Sequence, residues 1–278
     1  MIIIVLDETV TTPSLNHTML SESERQKVVE ALLKANQTKV QTTRPSAIYP
    51  HIEFEDSYAI SGAVSRRLQD SGAKLIGYKV GLTSAAMQRS SKIDEPDFGF
   101  LYDHYLIENG SQVSHANYCV PRVELELAFI LKKALKGPGI TMEDVMDATE
   151  SVVPSIEIID ARVDEPRKVY DTIADNGAGA GIILGEQRLD PYSLDLRLVP
   201  GILYRNDKIE ETGLSCGVMD HPANSVAWLA NKQSSLGYSL EPGQMLLAGS
   251  FVRPVWAAVG DTITADFADL GKVSVQFV

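Results

Sequence analysis

The spacing of apolar residues along the chain changes near residue 72. Before that point the spacing is helical, as in "RQKVVEALLKA", which follows a capping-box pattern formed by Ser21 and Glu24. "FEDSYAISGAVSRRLQDSG" has similar spacing and stops at Gly72, a residue typical of the position just after a helix. The polar stretch "NQTKVQTTRPSAIYP" connects the two predicted helices. We therefore predict an N-terminal part over residues 1–72, irregular over residues 1–18 and helical after that.

Residues 73–278 show the short alternating runs that are typical of strands. The predicted strands are "KLIGYKVGL", "VELELAFIL", "PSIEIIDA", "AGAGIILG", "GILYRNDKIEETG", "QMLLAGSFVRP", "VWAAVGDTITADF" and "KVSVQFV". Turns are predicted at Asn206-Asp207 and in a stretch that contains "DEPDFG" and "ENGSQ". Two helices are predicted to cover the strands, one opening at Thr141 and one entered through His221 and Pro222 and followed by Gly237. Because strands and helices do not alternate strictly, the expected class is α+β, with a mainly β catalytic domain.

Composition narrows the possible partners and surroundings of the protein. The 278 residues carry 37 acidic and 25 basic side chains, a net charge of −12. This balance disfavours binding to nucleic acid or to an anionic membrane, since both depend on clustered Lys and Arg. The start of the chain lacks the basic and long apolar regions of a signal peptide, and the two cysteines show no metal-ligand spacing. We expect a cytoplasmic protein with two unpaired thiols.

The stretch "PRVELELAF" holds the strongest chemical signal in the sequence. In a strand, Glu124 and Glu126 emerge on one face, and the intervening residues are all aliphatic. Glu157 lies between two isoleucines in another apolar strand. A solvated strand face is one interpretation. If the strands are buried, three neighbouring carboxylates must take up protons or bind a cation, and an all-oxygen set suits Mg²⁺ or Mn²⁺ rather than zinc.

Two further charged residues would have a role in catalysis only if they lie beside such a cluster. Lys79 lies inside the apolar run "LIGYKVGLTS", where it is either an edge-strand lysine or a group that steers an anion or transfers a proton. Asp97 follows Asp94 and Glu95 in "DEPDFG", a segment that is usually a solvated turn. Asp97 could be a proton carrier only if the fold places it beside the carboxylate cluster. No G-x-S-x-G motif is present to favour acyl transfer by a serine nucleophile.

Several segments together resemble the hydratase/decarboxylase branch of the fumarylacetoacetate-hydrolase-like superfamily, enzymes of meta-cleavage pathways for aromatic compounds. They are "GYKVGLTS", "DEPDFG", "PRVELELAF", "PSIEIIDAR", "DTIADN" and "HPANSVAWLANK". The resemblance runs in order from about residue 20 to the end of the chain. It implies a mixed β-sandwich roll, a Mg²⁺ or Mn²⁺ ion held by Glu124, Glu126 and Glu157, an active-site lysine at Lys79 and a homo-oligomer. The first 18 residues and the glycine-rich "ADNGAGAG" depart from the family pattern.

Within the branch, "DEPRKVYDTIADN", "LYRNDKIEETG" and "GSFVRPV" are most similar to hydratases of 2-oxo-hept-3-ene-1,7-dioate. The resemblance then implies addition of water to a 2-hydroxy-2,4-dienoate or 2-oxo-3-enoate, giving a 4-hydroxy-2-oxo acid. Lys79 would move a proton or hold the dienolate oxygen, and Asp97 would activate water. The predicted substrate-binding residues are Arg167, Asp175, Asn176, Ser250 and Arg253, with the two arginines facing the far carboxylate of a diacid. A 4-oxalocrotonate-type decarboxylase and a non-catalytic partner subunit are the alternatives.

Overall fold

The structure is a computed structural model that describes residues 19–91 and 93–278, without the side chains at positions 90 and 91. The α-helices of this described part are α1 (Glu22–Thr38), α2 (Pro45–Ile48), α3 (Phe54–Asp70), α4 (Ala85–Ser91), α5 (Met142–Ala148), α6 (Val169–Ala174) and α7 (Pro222–Ser235). Its strands are β1 (Leu75–Gly81), β2 (Asp97–Tyr102), β3 (Leu106–Ile107), β4 (Gln112–Val113), β5 (Pro121–Leu131), β6 (Thr149–Asp160), β7 (Gly179–Leu184), β8 (Pro200–Arg205), β9 (Lys208–Leu214), β10 (Met245–Leu247), β11 (Val255–Trp256), β12 (Thr262–Asp266) and β13 (Lys272–Phe277). The prediction for residues 1–18 lies outside the described residues. The domain boundary at residues 72/73 stays a prediction.

The predicted helix ends are confirmed by their capping contacts. The Ser21 side chain accepts the N–H of Glu24 while the Glu24 carboxylate accepts the N–H of Ser21, the reciprocal bonds of a capping box. Thr141 makes the corresponding pair at the start of α5. At the start of α7, His221 Nδ1 accepts the N–H of Ala223 at 3.1 Å. The predicted entry residues therefore satisfy backbone donors that have no partner inside the helix.

The strands form two sheets, accompanied by helices, which agrees with the predicted α+β class. The larger sheet has the order β2-β1-β10-β5-β6-β7-β3, with β11 paired to the start of β5. The smaller sheet has the order β4-β13-β12-β8-β9. In the larger sheet, β10 lies between β1 and β5, parallel to β1 and antiparallel to β5. This insertion brings segments from distant parts of the sequence side by side.

The main hydrophobic core joins the two sheets and α7. Strand β5 supplies Val123, Leu125, Leu127 and Phe129, all essentially inaccessible to water. A separate cluster on the N-terminal side packs α1 and α3 together with Val163 and the end of α6. Most residues of β5 and β6 are buried, so polar side chains in the middle of these strands are largely removed from bulk water.

The segment "DEPDFG" corrects the turn prediction. Its last residues open β2, and Asp97, Phe98 and Gly99 are all buried. A Cβ at Gly99 would lie 2.3 Å from the carbonyl oxygen of Asn176, so the strand passes too close to that backbone for a side chain. Glycine was taken as a turn signal, but here it permits close packing inside a sheet.

The predicted strand "QMLLAGSFVRP" is also shorter than expected. Pairing in β10 ends at Leu247, and Gly249 adopts a positive φ of 109°. Helices α2, α4 and α6 were not predicted, because each is short and lacks the Thr-x-x-Asp capping pattern that marks the start of α5. Cys119 and Cys216 are both free thiols, as predicted. Across the described residues, none of the helices combines the length and apolar character needed to cross a membrane.

Candidate metal centre and active-site cavity

The three predicted glutamates meet at one point of the larger sheet. Glu124 and Glu126 alternate with buried aliphatic residues on β5, and Glu157 lies on β6 directly opposite Glu124. One carboxylate oxygen from each lies within 4.8 Å of those of the other two. Glu126 and Glu157 are buried, and Glu124 is partly buried. The strand alternation and the antiparallel register therefore place three negative groups in one buried cluster.

The hydrogen bonds of the cluster leave several of its oxygens free. Glu126 Oε2 accepts the N–H of Gly249 at 2.8 Å. Glu126 Oε1 and both oxygens of Glu157 accept no hydrogen bond from any described residue. Buried carboxylate oxygens without donors are costly, and a hard divalent cation is the ligand that oxygen donors of this kind prefer. The donor set fits Mg²⁺ or Mn²⁺.

Lys79 and Asp97 lie beside the glutamates. Lys79 Nζ donates to the carbonyl oxygen of Gly177 at 2.9 Å and lies 3.5 Å from Glu157 Oε2. Burial alone would lower the pKa of Lys79, but the charges of Glu157, Asp97 and the other two glutamates outweigh it and raise that pKa. Both carboxylate oxygens of Asp97 are buried and accept no hydrogen bond within the described part of the chain. Lys79 is therefore a fixed ammonium group in an acidic cavity.

Burial raises the pKa of every carboxyl group in this cluster. It raises the pKa of Glu157 to about 7, although the Lys79 ammonium opposes the rise. The pKa of Glu126 rises well above its usual range through burial and the charges of Glu157 and Glu124. Burial also raises the pKa of Asp97. Without a cation, the cluster therefore keeps protons at pH values where exposed glutamates have lost theirs.

These shifts predict how stability depends on pH in the metal-free protein. A carboxyl group whose pKa is higher in the folded than in the unfolded chain stabilises the fold at low pH, and this contribution is lost as pH rises through the folded pKa. For Glu157 that window runs from its ordinary value of 4.5 to about 7. In EDTA, we expect the Tm of wild type to fall relative to that of Glu126→Gln as pH rises from 4.5 to about 7. Parallel Tm curves for the two proteins would contradict this, and the exposed Glu150→Gln variant is the control.

The cluster opens into a cavity of about 600 Å³. Among the predicted residues, its lining includes Lys79, Asp97, Glu124, Glu126, Arg167, Asp175, Ser250 and Arg253. Arg167 and Arg253 each form an ion pair at 2.7 Å, with Glu165 and Glu211 respectively. The Ser250 hydroxyl donates to the Val252 carbonyl oxygen at 2.9 Å. The structure thus brings these residues to the cavity, and their roles in binding remain predictions.

Asp175 and Asn176 have their polar atoms engaged elsewhere. The Asp175 carboxylate forms a buried ion pair with Arg162 at 2.5 Å and accepts the Arg162 backbone N–H at 2.7 Å. Asn176 Oδ1 accepts the N–H of Phe100, and Asn176 Nδ2 donates to its carbonyl oxygen. Asn176 does not line the cavity. These contacts hold the loop that carries Gly177, the hydrogen-bond acceptor of Lys79.

Arg122 was missed by the sequence prediction although it stands in the same quoted stretch. It lies on β5 at the same parity as Glu124 and Glu126, lines the cavity, and stacks over the Trp256 ring at 4.6 Å. Burial, and then the nearby charge of Arg167, lower the pKa of Arg122. Its place on the same face of the strand as Glu124 and Glu126 was the sequence signal that could have identified it. The contacts made by Gly249 and Gly177 carry no local sequence signal, because they depend on the packing of distant segments.

This chain is similar in sequence to a known hydratase and to a known decarboxylase. No family model matches the chain. It is 46% identical over 258 residues to the 2-oxo-hept-4-ene-1,7-dioate hydratase of Escherichia coli, covering 90% of this chain and 97% of that one. It is 33% identical over 231 residues to the 4-oxalocrotonate decarboxylase of Pseudomonas sp. (strain CF600), covering 83% and 88%.

A solved structure has the same overall fold. The 4-oxalocrotonate decarboxylase of Pseudomonas putida G7, complexed with magnesium and adipate, superimposes with a TM-score of 0.91 at 29% identity. The superposition covers 94% of this chain and 99% of that one. The likeness therefore extends over nearly the whole length of both proteins.

Proposed function

This chain belongs to the hydratase/decarboxylase family of the fumarylacetoacetate-hydrolase-like superfamily, and we propose that it is a divalent-metal-dependent hydratase of unsaturated 2-oxo acids. The observation that carries the proposal is the buried Glu124–Glu126–Glu157 cluster beside Lys79 in one cavity. The identity to the hydratase exceeds that to the decarboxylase, which favours hydration. The proposed substrate is 2-oxo-hept-3-ene-1,7-dioate or its 2-hydroxy-2,4-dienoate tautomer.

The glutamates would hold Mg²⁺ or Mn²⁺, which when bound supplies a Lewis acid for negative charge on the substrate's 2-oxygen. The solved decarboxylase with magnesium supports this assignment. Lys79, fixed by the carbonyl oxygen of Gly177, would donate a hydrogen bond to the same 2-oxygen as the dienol loses its proton. Fixing the ammonium in advance avoids reorganisation during the reaction.

Asp97 would handle the proton of the added water. Ketonisation moves the enol proton to C5 and leaves the C3–C4 double bond conjugated with the 2-oxo group. The water oxygen then joins C4, and a proton is delivered to C3, so that the product is a 4-hydroxy-2-oxo acid. Burial raises the pKa of the Asp97 carboxyl group, so it holds a proton more readily than an exposed aspartate does, which suits it to accept a proton and return it.

The first test follows the ultraviolet absorbance of the dienoate. We expect it to disappear with Mg²⁺ or Mn²⁺ present and to persist in EDTA, because the glutamates without a cation cannot stabilise the dienolate. Full activity in chelator would contradict the metal assignment. Because one relative is a decarboxylase, the second quantity to measure is the release of carbon dioxide from 2-oxo-3-hexenedioate. Its release, in place of hydration, would identify a decarboxylase.

The proposal also includes the setting of the enzyme. We place it in the cytoplasm, where unpaired thiols stay reduced, and we propose that it is a homo-oligomer, as the family resemblance implies. A native mass equal to that of one chain would contradict the oligomer.

A further inference from the structure

Arg122 lines the cavity and forms no ion pair with any described residue. Five basic side chains line it: Lys79, Arg122, Arg167, Lys168 and Arg253. Lys79 is engaged with Glu157 and Gly177, and Lys168 is exposed. Arg167 and Arg253 each contact a carboxylate at 2.7 Å. Among the arginines that line the cavity, only the Arg122 guanidinium has no carboxylate oxygen of a described residue within 4 Å and donates no hydrogen bond to one.

The position of Arg122 is fixed despite this lack of a partner. Its guanidinium lies over the ring of Trp256, 4.6 Å from the centroid. Trp256 is its direct neighbour across the β11–β5 pair, so the stacking geometry is set by the sheet register. Stacking on an aromatic face restrains the guanidinium while leaving its N–H donors free. A half-buried guanidinium held in this way is preorganised for a planar anion such as a carboxylate.

Arg122 is also at a defined distance from the metal cluster. It precedes Glu124 by two positions on the same strand and the same face. Two residues of strand separate their Cα atoms by about 7 Å. The cavity thus has a cation-binding acidic end and a free guanidinium one strand repeat away. That arrangement matches an extended diacid whose first carboxylate lies at the metal end.

We propose that Arg122 binds the far carboxylate of the substrate and determines the preference for seven-carbon diacids over monoacids. This inference rests on the proposed function, because it takes the metal end as the place of the reacting 2-oxo acid. It replaces Arg167 and Arg253 as the primary ligand of the far carboxylate, since their charges are already neutralised by Glu165 and Glu211.

The test uses two saturated ligands that differ only in the far carboxylate, 2-oxoheptanedioate and 2-oxoheptanoate. Their affinities are measured by calorimetry with Mg²⁺ present, so that the readout does not depend on turnover. For Arg122→Gln, we expect diacid affinity to fall by about 10- to 100-fold, the effect of losing a charged, bidentate hydrogen-bonding partner. Monoacid affinity should change little. Arg122→Lys should recover part of the diacid affinity, because it restores the charge without the planar fork.

The matched control is Arg197→Gln, which removes an exposed arginine paired with Asp195 outside the cavity lining. Equal loss of affinity for both ligands in Arg122→Gln would overturn the proposal, and so would loss of selectivity in Arg253→Gln alone. Turnover of the seven-carbon diacid and five-carbon monoacid dienoates tests the proposed function separately from the role of Arg122. Wild type that hydrates neither contradicts the proposed function, whereas unchanged selectivity in an active Arg122→Gln enzyme contradicts only the role of Arg122.

Discussion

The Glu126→Gln variant is expected to lose metal binding and hydratase activity while remaining folded. Glutamine is nearly isosteric and can still accept the N–H of Gly249, but it replaces the free oxygen of Glu126 with an amide donor. Loss of a partner outside the ligand shell already lowers metal affinity by about 10- to 100-fold, so loss of a ligand should exceed about 100-fold. Activity at fixed metal should fall by on the order of 10³-fold, since stabilisation of the 2-oxygen charge is lost.

Calorimetric titration with Mg²⁺ and the dienoate absorbance assay measure the two effects. Glu150→Gln is the control, because Glu150 lies at the exposed start of the strand that carries Glu157. The variant has one buried carboxylate fewer, so its metal-free form should be at least as stable as wild type near pH 8. A dead and less stable variant would point to a folding defect. Wild-type Mg²⁺ affinity in Glu126→Gln would overturn the ligand assignment.

Lys79→Met is expected to separate catalysis from metal binding. Methionine keeps most of the length of the side chain but removes the ammonium that contacts Glu157 and the carbonyl oxygen of Gly177. Loss of a positioned proton-transfer or hydrogen-bonding group should lower kcat by about 10²- to 10⁴-fold. Mg²⁺ affinity should stay the same or increase, since a positive charge 3.5 Å from Glu157 no longer repels the cation.

The two quantities are measured as kcat at saturating Mg²⁺ and as the Mg²⁺ dissociation constant. Lys133→Met, which changes an exposed lysine, controls for the loss of a positive charge. A variant with nearly wild-type kcat would exclude Lys79 from the reaction. Loss of metal binding together with activity would show that Lys79 is needed to shape the cluster.

The metal cluster could be predicted because strand alternation is a local property. The parity of Glu124 and Glu126 is fixed by β5 itself, and the aliphatic residues between them indicate burial. Arg122 lies on the same face of β5, but it was not predicted as a site residue because only the carboxylates on that face were considered. The direct pairing of Glu124 with Glu157 was beyond the sequence, because it depends on the register of β5 against β6.

Other features depend on contacts that no local pattern records. "DEPDFG" has the composition of a turn, but tertiary packing makes its second half a buried strand. Asp175 lines the cavity and its role in binding stays a prediction, but its ion pair with Arg162 had no local sequence signal. The acceptor of Lys79 comes from a loop nearly a hundred positions further along the chain. Such pairings follow from the whole fold, so the sequence could offer Lys79 as a candidate but could not give its contacts.

The place of β10 in the larger sheet has a consequence for synthesis of the chain on the ribosome. Residues 245–247 separate β1 from β5, and the N–H of Gly249 just beyond them binds Glu126. A nascent chain that ends before β10 already contains Lys79 and all three glutamates. It lacks the strand that joins their two halves of the sheet, and pairing between such distant segments forms slowly. Until β10 is made, the chain therefore lacks the strand that places Lys79 beside the glutamates of β5 and β6.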